Sequence, residues 1–225
     1  MFKVYRNIAL VALLVLSVSS ATFSQNMYGI KGGLSSSSFW GDGVDDFEDN
    51  LGVDFESSML NFFTGGVFAR YEIVQDFLAI QPEILYLRSG KQWTIEDTEL
   101  NVYNDYISVP VLVKLLIPFD PITPNVYVGP VVNFRLRSRA DGIEDVPDEA
   151  DLGFLVGQDE DISDGTRGFD IGLATGIGVD IEAGPGAFIL DFRVNFGFVE
   201  IFDDLDGDDI RNISFQIMAG YGLEF

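Results

Sequence analysis

The most constraining feature of the sequence is a strict two-residue alternation that fills its last positions, 212–225. Apolar side chains occupy every second position and end on Phe225, whereas the positions between them are mostly polar or small. A period of two places successive side chains on opposite faces of an extended strand. The stretch therefore predicts a strand with one apolar face and one polar face.

The same alternation recurs in seven earlier segments, most clearly in 170–182 and 187–198, which a Gly-Pro-Gly turn separates. In the second of these, Phe188 and Phe192 belong to an apolar face, and Asp191 belongs to the opposite face. Large apolar residues on one face and ionic residues on the other are typical of a barrel strand with lipid outside and a polar lumen inside.

The segments between the strands alternate in length. Four are long, at 37–61, 89–103, 138–168 and 199–210, and three are short. This order is typical of an up-and-down barrel with both termini and all short turns on the periplasmic side. The sequence therefore predicts an all-β fold, an eight-stranded antiparallel transmembrane β-barrel in the cell outer membrane.

The N-terminus carries Lys3 and Arg6, an uncharged apolar run at 8–18, and then small and polar residues. A short basic segment followed by an apolar run too short to span a bilayer indicates a secretory signal peptide. We therefore expect residues 1–24 to be cleaved and residues 25–225 to form the barrel domain.

Charge and residue usage exclude several classes of function. The net charge is -23, and most of the 36 acidic residues fall in the four long segments, which excludes binding to nucleic acid through its phosphates. The chain has no cysteine, so neither disulfides nor thiolate metal sites are possible. It also has no histidine, the usual general base, and we therefore expect no enzymatic activity.

The polar strand faces carry near-equal numbers of opposite charges. We expect them to pair inside the barrel, because isolated buried charge is costly and an eight-stranded lumen is only wide enough for side chains. The alternative is a narrow path for an ion or solute. The predicted lumen network consists of Lys31, Arg70, Glu83, Lys114, Arg135, Arg137, Asp170, Asp180, Asp191 and Arg193.

An acidic run with a central glycine suggests a weak site for a divalent cation such as calcium, because clustered carboxylates suit hard cations. The alternative is a solvated acidic loop, since the run lacks the glutamate that closes a helix-flanked calcium loop. No other cofactor is expected. The candidate ligands are Asp203, Asp204, Asp206, Asp208 and Asp209.

Four short stretches resemble the PorT-like outer-membrane β-barrel family of Bacteroidota, part of the porin family. The resemblance implies an outer-membrane location and a short barrel, and supplies no catalytic residue. Separately, the ending on Phe225 resembles the last strand of bacterial outer-membrane barrels, which implies that it is read by the barrel-insertion machinery. The stretches are Gly29-Ile30-Lys31-Gly32-Gly33, Gln81-Pro82-Glu83-Ile84-Leu85-Tyr86, Ile107-Ser108-Val109-Pro110-Val111-Leu112-Val113-Lys114 and Val128-Gly129-Pro130.

These observations favour a monomeric barrel with a plugged lumen that contacts outer-membrane lipid and holds acidic loops outside the cell, in a structural or surface-binding role. Three alternatives stay open: a small-solute or ion porin, a component of a secretion or assembly apparatus, and a soluble periplasmic barrel around an apolar ligand. The last requires an apolar interior, contrary to the polar faces described above.

Overall fold

A computed structural model describes residues 26–40, 55–95, 98–141, 168–199 and 211–225. Eight strands in these ranges close into one antiparallel barrel, in which each strand pairs with its sequence neighbours and the last pairs with the first. The predicted fold is confirmed. The strands are β1 Asn26–Trp40, β2 Phe55–Val74, β3 Leu78–Ile95, β4 Thr98–Leu116, β5 Ile122–Asp141, β6 Phe169–Ala183, β7 Gly186–Gly197 and β8 Arg211–Glu224.

The alternation in the sequence places apolar side chains outside the barrel and ionic ones inside. On β7, Phe188 and Phe192 are 57% and 44% exposed, whereas Asp191 and Arg193 between and beside them are buried. Side chains on a strand alternate between faces, so a shift of the strand register by one residue would turn the apolar side chains inward and the ionic ones outward. The predicted orientation of the strand faces is confirmed.

Three short turns and both ends of the barrel domain lie at the same rim. Asp76 takes a positive φ of 58° in the turn after β2, and Gly184 takes 66° in the turn after β6. Both residue types tolerate this left-handed conformation. At the same rim the Asn26 N–H donates to the Phe225 carbonyl at 3.3 Å, and the Phe225 N–H donates to the Asn26 carbonyl at 2.9 Å.

The segment 89–103 differs from the prediction of a long loop. β3 continues to Ile95 and β4 begins at Thr98, and these two residues pair across the hairpin. The segment is rich in aromatic and β-branched residues, which favour extended structure even where the alternation weakens. The hairpin therefore prolongs the sheet at the opposite rim, the outer rim.

Pro110 has no N–H to donate to a strand ladder, yet it leaves the register of β4 unchanged. Its pairing with Val131 of β5 is regular, while the ladder to β3 skips it, as expected for a residue without an N–H. The register shift between β4 and β5 falls instead between Asp105 and Tyr106.

The signal-peptide prediction falls on residues 1–24, which lie outside the described residues. Within the described ranges, no helix is long and apolar enough to cross a membrane.

Candidate functional site

The middle of the lumen is occupied by four charged side chains, Lys31, Glu83, Asp191 and Arg193, which we call the central ionic cluster. All four are buried. Lys31 comes from β1, Glu83 from β3, and the other two from β7. Because β3 and β7 stand on opposite sides of the barrel, contacts between them cross the whole lumen.

The central ionic cluster is held by direct ion pairs. Lys31 Nζ donates to Glu83 Oε1 at 2.6 Å and to Asp191 Oδ2 at 2.7 Å. Arg193 forms a fork with Glu83, with Nη1–Oε2 at 2.8 Å and Nη2–Oε1 at 3.0 Å. Arg193 Nη2 also lies 3.3 Å from Asp191 Oδ2. Two cations and two carboxylates leave the cluster formally neutral, which offsets part of the cost of burying each charge.

Uncharged side chains complete the cluster. The Tyr127 hydroxyl donates to Asp191 Oδ1, and Gln81 Nε2 donates to Glu83 Oε1 at 2.7 Å. Lys114 Nζ donates to Gln81 Oε1 at 3.3 Å and lies 5.3 Å from the centre of the Tyr127 ring. These contacts extend the network to β4 and β5.

A second ion pair crosses the lumen nearer the rim with the short turns. Arg70 of β2 bonds to Asp180 of β6, and these strands also stand on opposite sides of the barrel. Arg70 lies opposite Met27 at the start of β1, which places this pair below the central ionic cluster.

Toward the outer rim the lumen is polar but mostly uncharged. Ser89 Oγ donates to Asn212 Oδ1 at 2.9 Å, and Ser138 donates to Asn104. Several buried atoms among the described residues have no hydrogen-bond partner here, a pattern that suits hydration. They are Ser35 Oγ, Asn104 Nδ2, Asn133 Oδ1, Asn195 Oδ1 and Gln216 Oε1.

The structure places most of the predicted lumen residues on the inward face. Arg135 lies opposite the buried Tyr106, which also faces inward. The buried members of the predicted set are Lys31, Arg70, Glu83, Lys114, Asp170, Asp180, Asp191 and Arg193.

Arg137 is the exception, and its predicted place in the lumen is wrong. β5 carries one extra residue, Leu136, between Arg135, which lies opposite Tyr106, and Arg137, which lies opposite Asp105. The side chain of Asp105 faces outward, on the same side as Arg88 of β3. Arg137 therefore belongs to the outer surface of the barrel.

The sequence-based network also missed Tyr127 and Gln81. Both lie on the polar faces of their strands, and this position in the alternation could have identified them as lumen residues. The predicted cation ligands Asp203, Asp204, Asp206, Asp208 and Asp209 lie outside the described residues. Within those residues no group of three or more acidic side chains is arranged to hold a metal ion.

Comparisons with known proteins agree with the architecture. The family described as "Outer membrane protein beta-barrel domain" matches residues 23–203. Curated proteins give no match.

Several solved structures are similar at low identity. Ail of Yersinia pestis is 16% identical, covering 89% of this chain and 99% of that chain with a TM-score of 0.43. Neisserial surface protein A is 15% identical, covering 88% and 97% with a TM-score of 0.43. OprG of Pseudomonas aeruginosa is 12% identical, covering 89% and 96% with a TM-score of 0.45.

Proposed function

Because the chain belongs to the outer membrane protein β-barrel domain family, we propose that it is a non-conducting, non-enzymatic scaffold whose sealed barrel displays acidic segments for binding at the cell surface. The acidic segments are the four long sequence segments 37–61, 89–103, 138–168 and 199–210, which hold most of the acidic residues. A rigid barrel that presents variable loops is a common way to carry a binding function.

One observation carries the proposal: two sets of ion pairs cross the lumen. The Arg193–Glu83 fork joins β7 to β3, and the Arg70–Asp180 pair joins β6 to β2. An ion passing through would have to separate these buried pairs and leave their charges uncompensated. This supports a scaffold over a porin.

Planar-bilayer recording tests the proposal. The purified barrel, inserted at single-molecule density, should give no unit currents in concentrated salt. Stable, reproducible unit currents from the wild-type barrel would contradict the scaffold and favour the porin. Folding is verified in the same preparation by the difference in gel mobility between boiled and unboiled samples.

The acidic segments are also proposed to collect divalent cations, through Asp203, Asp204, Asp206, Asp208 and Asp209. The support is the density of carboxylates around a glycine. Calcium should raise the melting temperature of the wild-type barrel and leave a variant with all five residues changed to Asn unaffected. An unchanged melting temperature of the wild-type protein at millimolar calcium would show that calcium is not a ligand.

A finer placement in the PorT-like branch is supported by the Gln-Pro-Glu stretch at Gln81 and by the spacing of Ile107, Pro110 and Lys114. It would connect the barrel to a secretion or assembly apparatus, with Phe225 read by the insertion machinery. We propose a monomer as the basal state. Proteins that co-purify with a tagged barrel after crosslinking would identify an apparatus, and recovery of a bare monomer would favour the isolated scaffold.

A further inference from the structure

We propose that the outward faces of β3, β4 and β5 bind a phosphate group of an anionic lipid in the outer leaflet, through Arg88 and Arg137 arranged around Asp105. We call these three residues the outer arginine row. The row is separate from the lumen, and the proposal does not depend on whether the barrel conducts.

The outer arginine row is built by strand register. Arg88 lies opposite Asp105, and Asp105 lies opposite Arg137, so that three adjacent strands each contribute one side chain at the same level. Arg88 Nε lies 2.5 Å from Asp105 Oδ1, and Arg88 Nη2 lies 3.0 Å from Oδ2. The Tyr86 hydroxyl donates to the same Oδ1 at 2.7 Å. Asp105 is therefore held in place as the centre of the row.

Aromatic rings hold Arg88 on its other side. Its guanidinium carbon lies 4.8 Å from the centre of the Tyr103 ring and 5.7 Å from that of Phe62. A guanidinium carries five N–H groups, and the bonds from Arg88 to Asp105 use only those at Nε and Nη2. The edge with Nη1 thus keeps N–H groups for a second anion, in the fork geometry that suits phosphate.

The outer arginine row lies at the height of lipid headgroups. The outward side chains of β3 between Leu78 and Arg88 carry no charge, and Leu78 lies beside the short-turn rim. About ten residues at roughly 3.3 Å each, tilted by about 40°, climb about 25 Å, the height of the apolar belt of such barrels. Arg88 therefore stands at the outer edge of that belt.

The charge of this surface favours an anion. At the level of the outer arginine row, Arg88 and Arg137 flank the single carboxylate of Asp105, which gives two cations and one anion. The row lies toward the outer rim, in a chain whose net charge is -23. A local surplus of arginine beside lipid attracts anionic headgroups through a low-dielectric interface. Lipid phosphate has both the charge and the geometry that the row requires.

The test measures binding of phosphorylated lipid A to the full-length barrel in detergent by native mass spectrometry. The wild-type barrel should bind phosphorylated lipid A more tightly than the same lipid after enzymatic removal of its phosphates. The double variant R88Q/R137Q should bind the phosphorylated form about tenfold more weakly, since hydrogen bonds to charged groups are lost.

Arg211→Gln is the matched control. Arg211 is also an outward arginine near the outer rim, but it lies 5.5 Å from the Trp40 ring on the β8–β1 side. This variant should keep the wild-type affinity. Heat-dependent gel mobility verifies that each variant is folded, and Arg137→Gln alone, which retains the Arg88–Asp105 pair, should weaken binding severalfold and decides the matter if the double variant does not fold.

Three results would overturn the proposal. They are equal affinity of the wild type for phosphorylated and dephosphorylated lipid, an equal loss of affinity in Arg211→Gln, and unchanged affinity in the folded arginine variants. Competition by inorganic phosphate at millimolar concentration would show that the row takes the free ion, and would equally reject a lipid-specific site.

Discussion

Among the lumen carboxylates that the structure describes, Glu83 accepts the largest number of hydrogen bonds, from Lys31, Gln81 and Arg193. At the scale of single residues, the stability of the barrel depends on such acceptors being charged. Removing one charge of a buried network leaves its partners uncompensated, which costs more than losing a surface pair.

Glu83→Gln should therefore destabilise the barrel by about 3–5 kcal/mol, because Lys31 and Arg193 would share the single remaining carboxylate of the central ionic cluster. Urea unfolding in lipid vesicles, followed by tryptophan fluorescence, measures this change. Glu182→Gln is the matched control, since Glu182 is exposed near the end of β6, and its change should stay within about 0.5 kcal/mol. Equal effects of the two substitutions would contradict the assigned role of the cluster.

Gly176 gives a second residue-scale prediction. A Cβ there would lie 2.3 Å from the Tyr127 hydroxyl and 2.3 Å from the Phe192 carbonyl oxygen. Gly176→Ala should displace Tyr127 from Asp191 and destabilise the barrel by about 1–3 kcal/mol in the same unfolding assay.

Tyr127→Phe separates the hydroxyl bond from the steric effect. If Gly176→Ala already breaks the bond from Tyr127 to Asp191, adding Tyr127→Phe should cost less than it does in the wild type. Gly168→Ala is the control, because a Cβ at Gly168 meets no atom within 4 Å. Strict additivity of the two substitutions would show that the Cβ leaves Tyr127 in place.

Residue placement could be predicted where the alternation is unbroken. Lys31, Glu83 and Asp191 lie inward as the sequence predicts. Arg137 could not be placed correctly, because Leu136 is an extra residue in β5 and reverses the faces of the residues beyond it. In the sequence, Arg135, Leu136 and Arg137 alternate in the same way whether or not such a shift is present.

At the scale of elements, each strand is an apolar face toward lipid joined to a polar face toward the lumen. Ile217 of β8 is 66% exposed and lies in the middle of the outward face, whereas Leu223 lies near the short-turn rim. The depth of a position should therefore control the effect of a charge placed there.

Ile217→Arg should destabilise the barrel by about 2–4 kcal/mol, and Leu223→Arg by about 0–1 kcal/mol, because a charged side chain near the rim reaches the interface. Reversible unfolding in vesicles compares the two variants directly. A cost at Leu223 as large as that at Ile217 would contradict the proposed depth of these positions.

The existence and order of the strands could be predicted from period and turns, but their outer ends could not. The pairing of Ile95 with Thr98 lies beyond the apolar belt, where no lipid enforces an apolar face. Strand pairing there depends on backbone bonds and on cross-strand contacts, which leave a weaker pattern in the sequence.

At the scale of the whole molecule, the barrel closes around contacts between strands that are far apart in sequence. The Arg193–Glu83 and Arg70–Asp180 pairs both join strands on opposite sides. The sequence predicts that these residues face the lumen, but which of them meet depends on strand tilt and stagger, which no local pattern specifies.

Replacing Glu83, Arg193, Arg70 and Asp180 together by alanine should open a narrow path and produce brief unit currents, whereas we expect none from the wild type. The substitution removes both crossing pairs without leaving an unpaired member of either one. Planar-bilayer recording measures the currents, and heat-dependent gel mobility verifies folding. Continued silence of a folded variant would place the barrier elsewhere in the lumen.

The crossing pairs also bear on how the barrel assembles. Lys31 and Glu83 enter with the first three strands, whereas Asp191 and Arg193 arrive only with β7. A sheet that lacked the last strands would leave Arg70 without Asp180 and Glu83 without Arg193. Each uncompensated charge would raise the free energy of that partly assembled state. We therefore expect insertion to be nearly all-or-none, because a partly assembled sheet would carry uncompensated charges that only the last strands neutralise.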